Sequence, residues 1–332
     1  MFAGSLIYNS ITMALLASLD IGSNTLRMLI AEIRQDRIID VCAPRRITRL
    51  GDGVGETGKL QERNMEASLA VLGEFSALLA GHQVKQIRAV ATSALREASN
   101  AGVFLRKAYA ETGIRIEVIS GKEEAALTLK GLLASFSCPE FESPNAAFIL
   151  DIGGGSTECI IYRDHRVVFM QSLPLGVIKL AARFLGSDPP ADKDISDMDS
   201  EMRRRLRELA RETEHAASPH TKFIGTGGTF STIACMDLRL DTYAREKIHL
   251  HSIPLERLEA MSRRLISLPL EAREKIPGLE PERADLIIPG LHFTINTMQA
   301  FGFPLCRVSE HGILEGVLRE VHEENISETG KP

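Results

Sequence analysis

Phe148-Ile149-Leu150-Asp151-Ile152-Gly153-Gly154-Gly155-Ser156-Thr157-Glu158 carries an apolar run into a carboxylate, then into glycines and hydroxyls. The apolar run reads as a buried strand. The glycines let the backbone turn sharply and approach a ligand closely. Their N–H groups can form an anion-binding concavity, to which Ser156 and Thr157 add hydroxyl donors. Asp151 ends the strand, where it can hold a metal ion that shares the anion's charge. The same residues also fit a plain hairpin turn with one acid. An echo near the N-terminus favours the first reading. Leu19-Asp20-Ile21-Gly22-Ser23-Asn24-Thr25 repeats Leu150-Asp151-Ile152-Gly153 and its small polar tail. A strand–Asp–glycine-loop–strand unit that occurs twice suggests an internal duplication, with two phosphate loops facing each other across a cleft.

The 332 residues exceed one ordinary domain, and two is the expectation. A hydrophobic content of 44% with 25% charged residues fits a soluble globular enzyme. Lys+Arg 39 against Asp+Glu 44 leaves a formal charge of −5. That argues against nucleic-acid or membrane partners, yet leaves room for a polyanion in a local basic cleft. The 5 cysteines, Cys42, Cys138, Cys159, Cys235 and Cys306, are scattered and form no C-x-x-C pair. A reduced, cytoplasmic compartment is therefore expected and a zinc site is not. No apolar run reaches membrane-spanning length. Residues 1–12 lack the basic and cleavage features of a signal peptide and read as a tail, with Met13 a candidate start.

In chain order, 15–20, 26–33 and 38–46 read as three strands of a meander. The glycine-rich run 50–58 lacks the setting of a dinucleotide fingerprint and reads as a mobile surface loop. Arg45, Arg46 and Arg49 before it are either a solvated basic face or a rim for a polyphosphate chain, with Lys179 a further candidate. A helix is expected over 65–79 and a strand over 87–92. Arg96 follows that strand's carboxyl end, where open α/β sheets bind ligands. A helix at 103–109 and a strand at 114–119 lead to Ser120-Gly121-Lys122-Glu123-Glu124-Ala125, which opens a helix to about Phe136. Its two acids are either dipole-favoured helix-start carboxylates or include a general base at a hinge. Beyond Pro139 and Pro144, a strand at 166–173 and a charged helix at 194–215 precede a third strand-to-glycine loop, 223–229. There Gly227, Gly228 and Thr229 open a helix N-terminus suited to phosphate or ribose contact. Helices at 255–268 and 284–300, a strand at 305–309 and a helix at 312–322 complete the pattern.

Taken together, the chain resembles the exopolyphosphatase/guanosine pentaphosphate phosphohydrolase (Ppx/GppA) family. The resemblance rests on Asp20-Ile21-Gly22-Ser23-Asn24-Thr25-Leu26-Arg27, Thr92-Ser93-Ala94-Leu95-Arg96, Ser120 to Ala125 and Asp151 to Glu158. Leu173-Pro174-Leu175-Gly176, Gly225 to Thr229, Arg283-Ala284-Asp285 and Pro289-Gly290 extend it. They occur in family order over 15 to about 320. The resemblance implies an α/β fold of two actin-like (ribonuclease H-like) domains with the active site in the cleft between them. It implies a first domain at 13–122, closed by the C-terminal helix 312–332, and a second at 123–311. It further implies Glu124 as the base that activates water, with Arg96 on phosphate oxygens. Asp151, Glu158 and Asp20 would hold Mg²⁺ or Mn²⁺. Gly22, Ser23, Asn24 and Arg27 would cradle phosphates opposite Gly153, Gly154, Gly155, Ser156 and Thr157, with Gly227, Gly228 and Thr229 as a third contact.

The implied reaction is hydrolysis of the terminal phosphoanhydride of inorganic polyphosphate, of guanosine pentaphosphate (pppGpp), or of both. Two rivals are an actin-fold small-molecule kinase and a non-enzymatic actin-like nucleotide switch. A homodimer is left open. The chain departs from the family pattern where Ser309-Glu310-His311-Gly312-Ile313-Leu314-Glu315-Gly316 carries Leu314 in place of the usual arginine. It also has no His-Asp dipeptide, so no appended HD-type domain is expected.

Overall fold

The computed structural model describes residues 14–135, 146–213 and 221–329. Met13, Phe136, Cys138, Pro139, Pro144, His215 and residues 330–332 lie outside the described residues.

Two sheets of matching topology divide the chain. The first half runs β1 (Leu16–Ile21), β2 (Thr25–Arg34), β3 (Arg37–Cys42), β4 (Arg45–Ile47), α1 (Val54–Thr57), α2 (Glu62–Gly81), β5 (Gln86–Ala91), α3 (Ser93–Glu97), α4 (Ala101–Thr112), β6 (Ile116–Val118) and α5 (Gly121–Ser135). The second runs β7 (Ala146–Ile152), β8 (Thr157–Arg163), β9 (Arg166–Leu173), α6 (Val177–Phe184), α7 (Asp192–Glu212), β10 (Lys222–Thr226), α8 (Gly228–Leu238), α9 (Arg245–Ile248) and β11 (Ser252–Pro254). It continues with α10 (Leu255–Ile266), α11 (Leu270–Arg273), a 3₁₀ turn (Pro281–Arg283), α12 (Ile287–Phe301), β12 (Leu305–Ser309) and α13 (Ile313–Thr329). The sheet orders are β3-β2-β1-β5-β6 and β9-β8-β7-β10-β12, with β11 added on the outer edge of β12. In both, two antiparallel pairings are followed by two parallel ones. This is the repeated unit that the two Leu-Asp-Ile-Gly segments foreshadow. The central strand β1 is buried throughout and β7 almost so, as apolar strands covered on both faces must be.

Each sheet has its own core. Leu19, Met28, Leu72, Phe75 and Phe104 belong to the first, and Phe148, Phe223, Phe230, Phe293 and Met298 to the second. Two helices cross between the halves. α5 lays Ala125, Leu129 and Leu132 on the second sheet against Ala147, Ile149 and Ile160. α13 returns to the first sheet, where Leu318 and Val321 meet Leu16, Leu29 and Ala31. The two helices touch backbone to backbone. A Cβ on Gly131 would lie 1.8 Å from Gly312 O, and one on Gly316 would lie 1.9 Å from Leu127 O.

The run 50–58 is not a mobile surface loop. Leu50 is fully buried, and residues 54–57 form α1. Gly51 N–H donates to Ser23 O at 2.7 Å, and the N–H groups of Thr48 and Arg49 both donate to Asn24 O at 3.0 Å. The segment thus braces the first glycine loop from behind, by satisfying carbonyls that a tight turn leaves unpaired.

Candidate active site

Both glycine loops are the same turn. Gly22 N–H donates to Thr25 O at 3.2 Å, and Gly153 N–H donates to Ser156 O at 2.9 Å. In each the aspartate before the turn registers against a charged residue on the return strand: Asp20 against Arg27, Asp151 against Glu158. The two loops meet across the molecule. A Cβ on Gly154 would stand 3.1 Å from Ser23 Cβ and 3.3 Å from Asn24 N. Gly227, at φ 87, starts the third loop in a conformation that favours glycine. A Cβ there would also fall 2.2 Å from Asp151 Oδ1.

A cavity of ≈ 80 Å³ lies among these loops. Asp20, Arg27, Glu124, Asp151 and Glu158 line it, together with Gly22–Thr25, Gly153–Ser156 and Gly227–Thr229. Four carboxylates therefore share one buried space, and the electrostatics show the strain. Burial pushes Glu124 up to about 8 against the pull of Arg96, with Asp151 and Asp20 adding to the rise. Burial raises Asp151 too, Arg27 opposing and Asp20 adding. Glu158 is raised well above its ordinary value by burial, then by Glu124 and Asp151, although hydroxyls of Ser172 and Ser156 oppose. Asp20 Oδ2 accepts from Arg27 Nη2 at 2.6 Å, while its buried Oδ1 has no hydrogen-bond partner among the described residues.

Helix-start chemistry separates the two glutamates of α5. Ser120 N–H donates to Glu123 Oε2 at 2.8 Å and Glu123 N–H to Ser120 Oγ at 3.2 Å, a reciprocal capping box. Glu123 is thereby spent on the helix end, and its carboxyl is lowered by the Ser120 bonds. Glu124 points into the cavity.

Several expected contacts are placed elsewhere. Thr157 is fully buried and its hydroxyl donates to Leu175 O at 2.5 Å. Consecutive strand residues face opposite ways, so with Glu158 in the cavity Thr157 cannot join it. Thr229 lines the cavity but gives its hydroxyl to Ile152 O at 2.9 Å, leaving only its backbone. Arg96 does not line it. Its Nη1 donates to Ile119 O at 2.8 Å and to Glu124 Oε2 at 3.2 Å. The basic rim is likewise engaged: Arg45 pairs with Glu280 at 2.8 Å, Arg46 with Glu74 at 3.2 Å, Arg49 with Asp285 at 2.7 Å and Lys179 with Glu97 at 2.8 Å.

Of those four, only Arg45 belongs to a second cavity, of ≈ 250 Å³, which shares Arg27, Asp151, Gly227 and Ile313 with the first. Its wall includes Arg245, Tyr243, Ser231 and Leu314. Arg45 sits 4.1 Å above the Tyr243 ring, and Arg245 pairs with Asp40 and Glu315. Sequence reasoning missed Arg245 and Tyr243, which lie in a segment without motif or periodicity. It also missed Arg283 as a lining residue, although Arg283-Ala284-Asp285 had been noted. The buried Arg283 guanidinium donates to Thr25 Oγ1 at 3.0 Å and to Glu280 Oε2 at 2.8 Å.

Paired β-sheets of one topology, with glycine loops and carboxylates facing each other between them, define a phosphate-handling protein of the two-domain actin-like class. The sequence pattern of the Ppx/GppA phosphatase family matches residues 29–324, and the chain belongs to that family. Exopolyphosphatase 2 of Mycobacterium tuberculosis is 33% identical over 315 residues, 91% of this chain and 96% of that protein. The crystal structure of the Aquifex aeolicus family member shares 30% identity with a TM-score of 0.78, covering 94% of this chain and 99% of that one. An exopolyphosphatase from Cytophaga hutchinsonii is similar at 27% identity and TM-score 0.84, over 93% and 98% of the two chains. Membership makes this chain a phosphoanhydride hydrolase rather than a kinase or a nucleotide switch.

Proposed function

We propose that this protein removes the terminal phosphate of inorganic polyphosphate, and of pppGpp as a second substrate, by metal-assisted attack of water. The observation that carries the reading is the cavity between the loops, which residues of all three glycine loops and four carboxylates line together. Three of those carboxylates, Glu124, Asp151 and Glu158, are held above their ordinary range. Such a cluster calls for a cation.

The donors fit a hard ion of the Mg²⁺ type. All are oxygens, and Asp20 Oδ1 is buried without a partner among the described residues. Among the described residues no three acidic, His or Cys side chains form a complete cage. That suits an ion held by one or two carboxylates and completed by substrate oxygens and water. Asp151 and Glu158 would hold it, with Asp20 adjoining. When bound it would neutralise charge on the phosphate oxygens.

Glu124 then accepts the proton of the attacking water, as a buried carboxylate held above its ordinary range in the metal-free protein can. Arg96 acts through Glu124, orienting the carboxylate, rather than on phosphate. Arg27, tied to Asp20 through Nε and Nη2, turns toward the next phosphate. The departing chain follows the second cavity past Arg45, Arg245 and Tyr243. This reading takes residues 13–122 and 123–311 as the two domains, supported by the exchange of α5 and α13.

Phosphate release from polyphosphate and from pppGpp, side by side with Mg²⁺ or with EDTA, tests it. Release from polyphosphate that needs Mg²⁺ is expected. Full release in EDTA would remove the metal from the reading, and no release from either substrate would remove the reading itself.

A further inference from the structure

On the helical side of the second half lies a group that shares no residue with the cavity between the loops. Asp199 of α7, Ser262 of α10 and His292 of α12 form a hydrogen-bonded relay. Ser262 Oγ is 2.8 Å from His292 Nε2, and His292 Nδ1 is 2.9 Å from Asp199 Oδ1. Asn296 Nδ2 donates to the same Asp199 oxygen at 2.8 Å. The carboxylate fixes the ring with its proton on Nδ1, assigned from these partners, which leaves Nε2 to accept from the serine.

Two features separate this from an ordinary polar pin between helices. First, the hydroxyls of Thr112, Thr232, Thr294 and Thr297 all turn back onto the carbonyl of the preceding helical turn. Ser262 gives its hydroxyl to the imidazole instead. Second, Ser262 and His292, each 7% exposed, line a cleft of ≈ 240 Å³ whose wall carries the exposed cations Arg203 and Arg263. Of the two acids on that wall, Asp199 is held by the relay and Glu259 accepts from Gln299 at 2.9 Å.

We propose that Ser262 is a nucleophile activated by His292, with Asp199 as positioning residue, and that it takes an acyl or phosphoryl group from a small activated donor with an anionic leaving group. Ser262 Oγ attacks the acyl carbon or the phosphorus, and its proton passes to His292 Nε2. The new bond to Oγ forms as the bond to the leaving group breaks, and that group departs with the electron pair. Arg203 and Arg263 on the wall favour the departing anion. Because Ser262 sits inside α10, the N–H groups around it are spent on the helix ladder. No backbone oxyanion site forms there, so a persistent covalent adduct is expected rather than turnover.

Diisopropyl fluorophosphate serves as the probe, since Oγ–P formation with fluoride loss mimics the step. Folded protein should carry the adduct on Ser262, located by peptide mass. The same protein unfolded in urea should not. His292→Gln should slow labelling by roughly 10²–10⁴-fold, the usual worth of a positioned base. Labelling lost in Asp199→Asn should return in Asp199→Glu, which a merely structural role would not produce. Circular dichroism confirms the fold of each variant, and the wild-type comparison stands if one fails to fold. No Ser262 adduct on the folded protein, equal labelling after unfolding, or an unchanged rate in folded His292→Gln would each overturn the proposal.

Discussion

Glu123 and Glu124 are neighbours in sequence yet about 100° apart around α5, and the helix start decides their work. Glu124→Gln keeps shape and removes the proton acceptor, so kcat on polyphosphate should fall by roughly 10²–10⁴-fold with substrate binding retained. Glu123→Gln should change it within a few-fold. A dead Glu123→Gln beside an active Glu124→Gln would reverse the assignment. The same carboxyl makes stability depend on pH. Glu124 stands at about 8 when folded against an ordinary 4.5, so the folded, metal-free protein binds the proton more readily than the unfolded chain. The stability from this group is fully present below 4.5 and is lost as pH rises through about 8. Asp151 and Glu158 are raised as well and act in the same sense. In EDTA the thermal midpoint should therefore drop between about pH 5.5 and about pH 8.5, and drop less in Glu124→Gln. A midpoint flat across that range would contradict the raised cluster. At this scale most residues that line the cavity were legible, because they sit in or beside the glycine loops, near the ends or starts of strands, or open a helix; Arg283 was not. The sequence did not disclose which atom of each is free. Arg96, Thr157 and Thr229 are committed to partners distant in sequence, and no spacing reveals those.

At the scale of elements, the capping box that orients α5 is open to test. Ser120→Ala removes the acceptor for Glu123 N–H and should cost about 1 kcal/mol, seen as a lower thermal midpoint with little change in KM. The second cavity separates two neighbouring arginines. Arg45 lines it, whereas Arg46, its neighbour on β4, is an exposed partner of Glu74 on α2. Arg45→Gln should raise KM for long polyphosphate and flatten its salt dependence. Arg46→Gln should do neither, since exposed pairs contribute about 0–1 kcal/mol. Equal effects would mean that the chain leaves by another route. Long strands and helices were legible here from apolar periodicity. The run 50–58 was not. Its glycines signal turning, but the bond from Gly51 N–H to Ser23 O becomes visible only once the first loop is in place. Short α6, α9 and α11 escaped for a related reason, being set by packing rather than by propensity.

For the whole molecule, the duplicated Leu-Asp-Ile-Gly segments were enough to expect two like halves, and a shared order of five strands carries that out, with β4 on β2 and β11 on β12 as the departures. The exchange of α5 and α13 was less legible, because where a helix lands is a matter of tertiary contact. Their crossing depends on Gly131 and Gly316. Alanine at either would place a methyl group inside the partner backbone, so each should destabilise by at least about 1–3 kcal/mol, the usual cost of overpacking. Wild-type unfolding midpoints in both variants would show that the helices can part freely. The contact of Gly154 with Ser23 and Asn24 has a consequence of a different kind. A groove open at both ends would let a polymer lie across the catalytic groups and be cut anywhere along its length. Here the loops touch where Gly154 meets Ser23 and Asn24, so that side of the space between them is closed, as in a well. A thread can be lowered into a well only by its tip, so the bond presented to Glu124 is always counted from the tip. A ring has no tip to lower: cyclic trimetaphosphate should survive incubation under conditions in which linear tripolyphosphate is consumed.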